Sequence, residues 1–420
     1  MKITVLVLVI LTISIMLLAG CNLKEDENSL NQASITPPLS QDDENFENSF
    51  LLAAELIFNK PHERIIRNLE IDDTGKYIYA TFWDDRSISV IGDSRKFGVV
   101  KIPAEDIGTG KIKNLSARGG VASKKEFKEL VSLVYNDEKL YLGFDDGYIS
   151  KIDANTMQEE GILRLGNTFI FNEKVAYKTT NLNHGAAAKN GRYILFGGSG
   201  SGFNQDYSLE VQPAIFRVNT EGFSTAGQIA LSESGNIFSS ATDPIGPFVY
   251  FTLLQSNGKV KLIKVDSENL QVVGSLIAID DKTTSMYGTS YLVVDHKGLY
   301  AYVLVPTTSK IVRIDLKDFK VDKAINLKYV APYSMVIDSN DAYGYIGGSS
   351  GTVVRIDLRA FKEDEYLETG FLRDPSFEGD ATSEMLDGVM DQEGKYVFFA
   401  DTYSGSNSEK PARIAKIQIT

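Results

Sequence analysis

Gly298-Leu299-Tyr300-Ala301-Tyr302-Val303 leads to Val312-Arg313-Ile314-Asp315, and Ala342-Tyr343-Gly344-Tyr345-Ile346-Gly347 leads to Val354-Arg355-Ile356-Asp357. These are two copies of one phrase: a polar turn, an aromatic-rich stretch, a Gly or Ser turn, and a stretch ending in basic, aliphatic, acid. Working outward, the first half recurs at Lys76 to Ala80, Lys139 to Gly143, Tyr193 to Gly197, Phe248 to Phe251 and Tyr396 to Ala400. The second half recurs at Ser89-Val90-Ile91, Ser150-Lys151-Ile152-Asp153, Phe216-Arg217-Val218-Asn219, Ile263-Lys264-Val265-Asp266 and Ala415-Lys416-Ile417. Both halves occur seven times, at a period of about 42 to 66 residues. Self-similarity at a period in this range marks a stacked or radial repeat architecture.

The repeated stretches are short, β-branched and aromatic, bounded by Gly and Asp, which is a strand pattern. The one helix-like stretch is Ser123 to Leu130. A unit of about four strands makes a small twisted sheet with two apolar faces and no means of covering either. Radial stacking covers both. The expected fold is therefore all-β: a seven-bladed β-propeller of four-stranded antiparallel blades over residues 50–420. The chain resembles seven-bladed propellers of the YVTN and WD40-like type. The resemblance is most specific in Tyr287 to Leu367, where Ala301-Tyr302-Val303 and Ile311-Val312-Arg313-Ile314-Asp315 fall in register and Ala331-Pro332 follows. The YVTN tetrapeptide itself is absent, and Trp83-Asp84 does not close a third strand as the WD40 dipeptide does.

The last repeat ends one strand short, while Phe50 to Phe58 precedes the first full repeat without a partner. That N-terminal stretch is expected to supply the outer strand of the last blade, because an unclosed ring would leave two bare sheet edges. With the strands of a blade named a to d from the axis outward, the a–b connections are short and polar, from Asp72 to Lys76 through Asp391 to Lys395. The c–d connections are also read as short. Long insertions are read at Ile102 to Leu130, Gly166 to Asn183 and Gly370 to Glu384 between blades, and at Gly198 to Pro213 and Asp401 to Pro411 between strands b and c. Both kinds of connection emerge on one face, where binding residues are expected to gather. The residues entering strand a at that mouth are Arg67, His184, Asn236, Tyr287, Tyr333 and Asp387, a mixture of cationic, amide and aromatic chemistry suited to a ligand or peptide.

Ahead of the repeats, Met1-Lys2 opens a run that is almost wholly apolar from Ile3 to Leu18 and ends in Leu18-Ala19-Gly20-Cys21. This has the layout of an export signal, and its last four residues resemble the bacterial lipobox. The resemblance implies cleavage after Gly20 and acylation, palmitate included, of Cys21, with residues 1–20 as signal peptide. Residues 21–49 would then be a lipidated, acidic tether, since Asn22 to Ser49 holds one Lys against seven acidic residues and little that could bury. The expected setting is a membrane surface facing the periplasm or the cell exterior. Asn22 after the cysteine leans toward the outer membrane.

Cys21 is the one cysteine of 420 residues, so neither an intramolecular disulfide nor a Cys-based zinc site can form. The net charge of -13 opposes nucleic acid. Of three histidines, His62 and His296 read as surface residues and only His184 lies at the mouth, with no nucleophile or orienting partner evident beside it. HExxH is missing. Gly197 to Gly202 is Gly-rich without a phosphate-loop Lys and reads as a flexible loop, and the acidic turns Asp145-Asp146-Gly147 and Asp72-Asp73-Thr74-Gly75 lack calcium-loop spacing. No cofactor or metal is expected. The leading expectation is a non-catalytic binding or scaffold lipoprotein that takes another envelope protein, a peptide or a glycan. Two alternatives stand beside it: a lactonase-like or lyase-like propeller enzyme with His184 as base, and a subunit of an outer-membrane assembly complex.

Overall fold

The computed structural model describes residues 50–57, 63–84, 96–108, 121–122, 130–165, 169–171, 175–203, 209–280, 291–328, 330–369, 382–404 and 412–419. Cys21, Tyr287, His62 and the stretch 123–129 lie outside them. The chain begins with β1 (Phe50–Ile57). Blade 1 follows as β2 (Glu63–Ile71), β3 (Tyr77–Asp84), β4 (Lys96–Pro103) and β5 (Val121–Ala122), and blade 2 as β6 (Leu130–Asn136), β7 (Lys139–Phe144), β8 (Tyr148–Asp153) and β9 (Gln158–Arg164). Blade 3 holds β10 (Phe169–Phe171), β11 (Val175–Ala187), β12 (Tyr193–Phe203), β13 (Leu209–Asn219) and β14 (Ser224–Ala230). Blade 4 is β15 (Gly235–Thr242), β16 (Phe248–Gln255), β17 (Val260–Asp266) and β18 (Gln271–Ile279). Blade 5 is β19 (Tyr291–Val294), β20 (Tyr300–Val305), β21 (Lys310–Asp315) and β22 (Lys320–Asn326), and blade 6 is β23 (Pro332–Ile337), β24 (Tyr343–Gly348), β25 (Thr352–Asp357) and β26 (Lys362–Glu368). Blade 7 takes β27 (Thr382–Met390), β28 (Tyr396–Ser404) and β29 (Arg413–Ile419) from the C-terminus and β1 from the N-terminus, in the order β1-β29-β28-β27. The N-terminal closure expected from the sequence is thus present, with Phe50 opposite Ile419 and Ile57 opposite Arg413.

The inner strands touch in the cyclic order β2, β6, β11, β15, β19, β23, β27 and back to β2. One apolar cluster fills each of the seven gaps between neighbouring blades. The cluster between blades 5 and 6, for example, packs Tyr302, Leu304 and Ile311 against Met335, Ile346 and Val354. Full burial of such side chains is worth about 1.5–3 kcal/mol each, and no blade could obtain it alone.

The recurring phrase is explained by three local devices. An Asp at the end of strand a caps the a–b turn: Asp72, Asp295, Asp338 and Asp391 each accept two backbone N–H groups, as Asp295 does from Leu299 and Tyr300. The acid that closes strand c does the same for the c–d turn, as Asp315 does for Lys317 and Asp318 and Asp266 for Glu268 and Asn269. The basic residue two before it lies over the aromatic that opens strand b. Arg313 covers Tyr300 at 4.6 Å, Arg355 Tyr343 at 4.7 Å, Arg217 Tyr193 at 4.5 Å, Lys264 Phe248 at 3.9 Å and Lys416 Tyr396 at 4.2 Å.

Four expectations need correction. Strand c of blade 1 is β4, not Ser89 to Ile91, which lies outside the described residues. Lys101 sits over Tyr77 at 4.1 Å and Pro103 pairs with Tyr77, so Pro stands where four other copies carry Asp, one Asn and one Gln. Ile102 to Leu130 is therefore not a link between blades. Its first residues belong to β4, and β5 returns to pair with that strand as strand d of the same blade. Gly198 to Pro213 is largely the β12–β13 hairpin, paired through Phe203 and Leu209, so Gly197 to Gly202 is strand rather than flexible loop. Gly166 to Asn183 contains β10 and the first half of β11, and gives blade 3 a fifth strand. Of the remaining insertions, Thr382 to Glu384 and Asp401 to Ser404 are strand.

Candidate functional site: the axial channel

Strand a carries a bulge in six blades, at Ile66/Leu69, Leu130/Ser132, Asn181/His184, Ile237/Ser239, Pro332/Ser334 and Met385/Asp387. Bulges re-aim side chains and bend a strand, and here they set the inner strand of six of the seven blades. Just past the bulge, the residue opposite the fifth position of strand b is polar throughout: Ser132, His184, Ser239, Tyr291, Ser334 and Asp387 by direct pairing, and Asn68, whose N–H donates to Thr81 Oγ1. Several of these clasp the next blade. Ser239 Oγ accepts from Leu292 N at 3.0 Å, Ser334 Oγ donates to Met385 O at 2.7 Å, and Asp387 Oδ2 accepts from Leu69 N at 2.9 Å.

Tyr291 and His184 depart from the clasp. The Tyr291 hydroxyl reaches past blade 6 to donate to Asp387 Oδ1 at 2.8 Å, where Gly388 N also donates. Burial, with the Asp387 charge beside it, pushes the Tyr291 phenol well up. Asp387 itself is pushed up to about 6 by burial, against the pull of these three donors. His184 is pushed down to about 4 by burial and by the nearby Arg67 charge, so it is neutral at pH 7. Its ring nitrogens have no hydrogen-bond partner among the described residues.

Two residues deeper, opposite the third position of strand b, the blades carry Glu70, Val134, Ala186, Ala241, Val293, Val336 and Val389. Six are apolar and one is a carboxylic acid. Burial first, then the Asp387 charge, push Glu70 up to about 8, while the Tyr135 amide of blade 2 pulls it back. Glu70 is therefore mostly protonated at pH 7. Arg67, Glu70, His184, Tyr291 and Asp387 are each partly buried and keep some accessible surface. The axis is the direction no blade covers, so that surface faces the channel.

Of the residues read from the sequence as the mouth, Arg67, His184 and Asp387 lie at or just past the strand-a bulges, and Arg67 is close enough to His184 for its charge to act there. Tyr333 lies on β23, its hydroxyl donating to Glu384 at 3.1 Å, and Asn236 lies near the start of β15. Glu70 and Tyr291 were not among them. Lining up the seven inner strands by their strand-b partners would have exposed Glu70 as the lone acid in a Val/Ala column. His296 is exposed, as expected, and its Nδ1 pairs with Asp341 at 2.8 Å. Among the described residues no group of three His, Cys, Asp or Glu is placed to hold a metal ion, and no helix is long and apolar enough to cross a membrane.

No sequence family matches the chain, and no curated protein matches it. Among solved structures it is similar to one of Kuenenia stuttgartiensis hydrazine synthase, at 15% identity and a TM-score of 0.59, over 86% of this chain and 97% of that one. At that identity the likeness shows the fold alone, the seven-bladed propeller.

Proposed function

We propose that this propeller is the body of an exported lipoprotein, anchored through an acylated Cys21, with repeats of the YVTN/WD40-like type. Its role is non-catalytic: it docks an envelope protein, peptide or glycan on the face where the b–c and d–a connections emerge. The observation that carries the reading is blade 3. Its β11, β12 and β13 run 13, 11 and 11 residues, against 6 residues for each of β23, β24 and β25 in blade 6. The β12–β13 hairpin thus rises about 15 Å beyond a regular blade, beside the mouth of the channel. A paired, rigid wall on a closed ring is a surface for recognition. The enzyme alternative draws no support from His184, which has no orienting partner among the described residues and, at about 4, is a feeble base at neutral pH.

The test compares the full chain with a variant whose hairpin is cut back to a tight turn by removal of Ser201 to Glu210. Both are used as bait in envelope extract, and bound proteins and glycans are compared. Selective loss from the shortened variant, with its circular dichroism unchanged, is the expected result. Equal capture by both would overturn the docking assignment, and absence of acyl-cysteine at position 21 in the mature protein would overturn the anchor.

A further inference from the structure

Glu70 is the feature that the ring does not need. Six blades put Val or Ala at its position and feed it into the apolar cluster against the next blade, as Val134, Ala186 and Val336 do. Blade 1 instead places a carboxylic acid there, at the inner corner of the gap between blades 1 and 2. It accepts from the Tyr135 N–H of blade 2 but has no counter-ion among the described residues. The Asp387 carboxylate, by contrast, is already engaged by Tyr291, Gly388 and Leu69, so it serves the framework and Glu70 holds the open acceptor capacity. Burying an ionisable group without a counter-ion is costly, and such a group in an enclosed channel is a mark of function rather than of packing.

We infer that Glu70 anchors a small-molecule site in the axial channel, and that the ligand is a compact primary amine. Its ammonium group donates to the Glu70 carboxylate and its short alkyl body lies along the Val/Ala ring, where Ala241, Val293 and Val389 keep accessible surface. Asp387 adds a second negative charge nearby, and the Tyr291 ring offers an aromatic face to a cation. His184, with its ring nitrogens unengaged among the described residues, can donate to or accept from a polar group on the ligand. A metal ion is the poorer occupant, since no third carboxylate or imidazole converges on Glu70 among the described residues. The exchange balances: the ammonium enters as Glu70 releases its proton to solvent, so the charge in the channel does not change. The inference stands apart from the docking face, and a chain that captures no macromolecule could still bind the amine.

Isothermal titration of the full chain with ethanolamine and with putrescine, at pH 6, 7.5 and 9 in two buffers of different ionisation enthalpy, tests it. Because Glu70 sits at about 8, binding is expected to be on the order of 100-fold weaker at pH 6 than at pH 9, with close to one proton released at pH 6 and about three-quarters of one at pH 7.5. Glu70→Gln, nearly isosteric, is expected to weaken binding at least tenfold and to flatten the pH dependence. Glu70→Val serves as a second variant should Glu70→Gln fail to fold, and the hairpin-shortened chain is expected to bind like wild type. The inference is overturned if neither amine binds wild type. It is also overturned if Glu70→Gln binds with an unchanged pH profile, or if calcium chloride saturates the channel and the amines do not.

Discussion

Two ionisable side chains interrupt the seven-fold pattern, and they are handled in opposite ways. In blade 7 the sixth position of strand b is Asp401, where the other blades place Phe82, Phe144, Gly198, Leu253, Val305 and Gly348. Its Oδ2 accepts from Arg413 Nε at 2.8 Å, and Arg413 also donates to Thr369 Oγ1 at 2.6 Å. Both side chains are essentially inaccessible. The pair thus ties the first residue of β29 to its neighbour β28 and to the end of blade 6, close to where the ring is closed. In blade 1, Glu70 accepts only from the Tyr135 amide of blade 2 and has no counter-ion among the described residues. A buried charge answered by a partner belongs to the framework, and one left unanswered on the axis is available to a ligand.

The largest expected effect breaks the first half of that contrast. Asp401→Ala strands the Arg413 guanidinium in a dry interface and should cost about 3–5 kcal/mol, measured by urea unfolding. A loss below about 1 kcal/mol would mean that the pair is dispensable. The second effect has the opposite sign. Glu70→Val matches the other blades and should stabilise the chain by about 1–3 kcal/mol at pH 7.5, at the modest end because the carboxyl keeps accessible surface. The sign follows from the protons. Glu70 is about 8 when folded against an ordinary 4.5, so between these values the folded chain holds more protons, and stability falls as pH rises through the window. The gain from Glu70→Val should therefore shrink when the same unfolding curves are measured at pH 4. A gain that is as large at pH 4 as at pH 7.5 would refute the assignment. The smallest effect lies in the regular framework. Asp315→Ala removes two N–H acceptors from one exposed c–d turn and should cost about 0.5–1.5 kcal/mol, visible as a small shift of the thermal midpoint.

The legibility of the sequence follows the same divide. The phrase around Tyr300 and Arg313 could be read because its causes are local: a capped turn, a cation over a ring, a second capped turn. These recur wherever a blade does. Strand c of blade 1 escaped because Pro103 replaces the acid, while Ser89-Val90-Ile91 imitates the phrase without its basic residue. The Gly197 to Gly202 run escaped for a different reason. Its composition is that of a turn, but Gly197 is required by close approach, since a Cβ there would lie 2.4 Å from Ile237 Cγ2 of blade 4. Sequence composition does not separate glycine chosen for freedom from glycine chosen for contact. His184 and Asp387 could be placed at the axis because strand a could be counted. Glu70 stands two residues before the a–b turn, where the other blades carry Val or Ala, so the same count would have singled it out.

The account rests on a ring closed by β1 against β29, and a disulfide across that seam tests it directly. Leu51 and Gln418 are register partners, within the spacing a disulfide spans in an antiparallel pair. In a chain carrying Cys21→Ser, Leu51→Cys and Gln418→Cys, mild oxidation should form the bond nearly quantitatively, yield a covalently circular species on a denaturing gel and raise the thermal midpoint. Two thiols that stay free under those conditions, while circular dichroism reports native β-structure, would contradict closure.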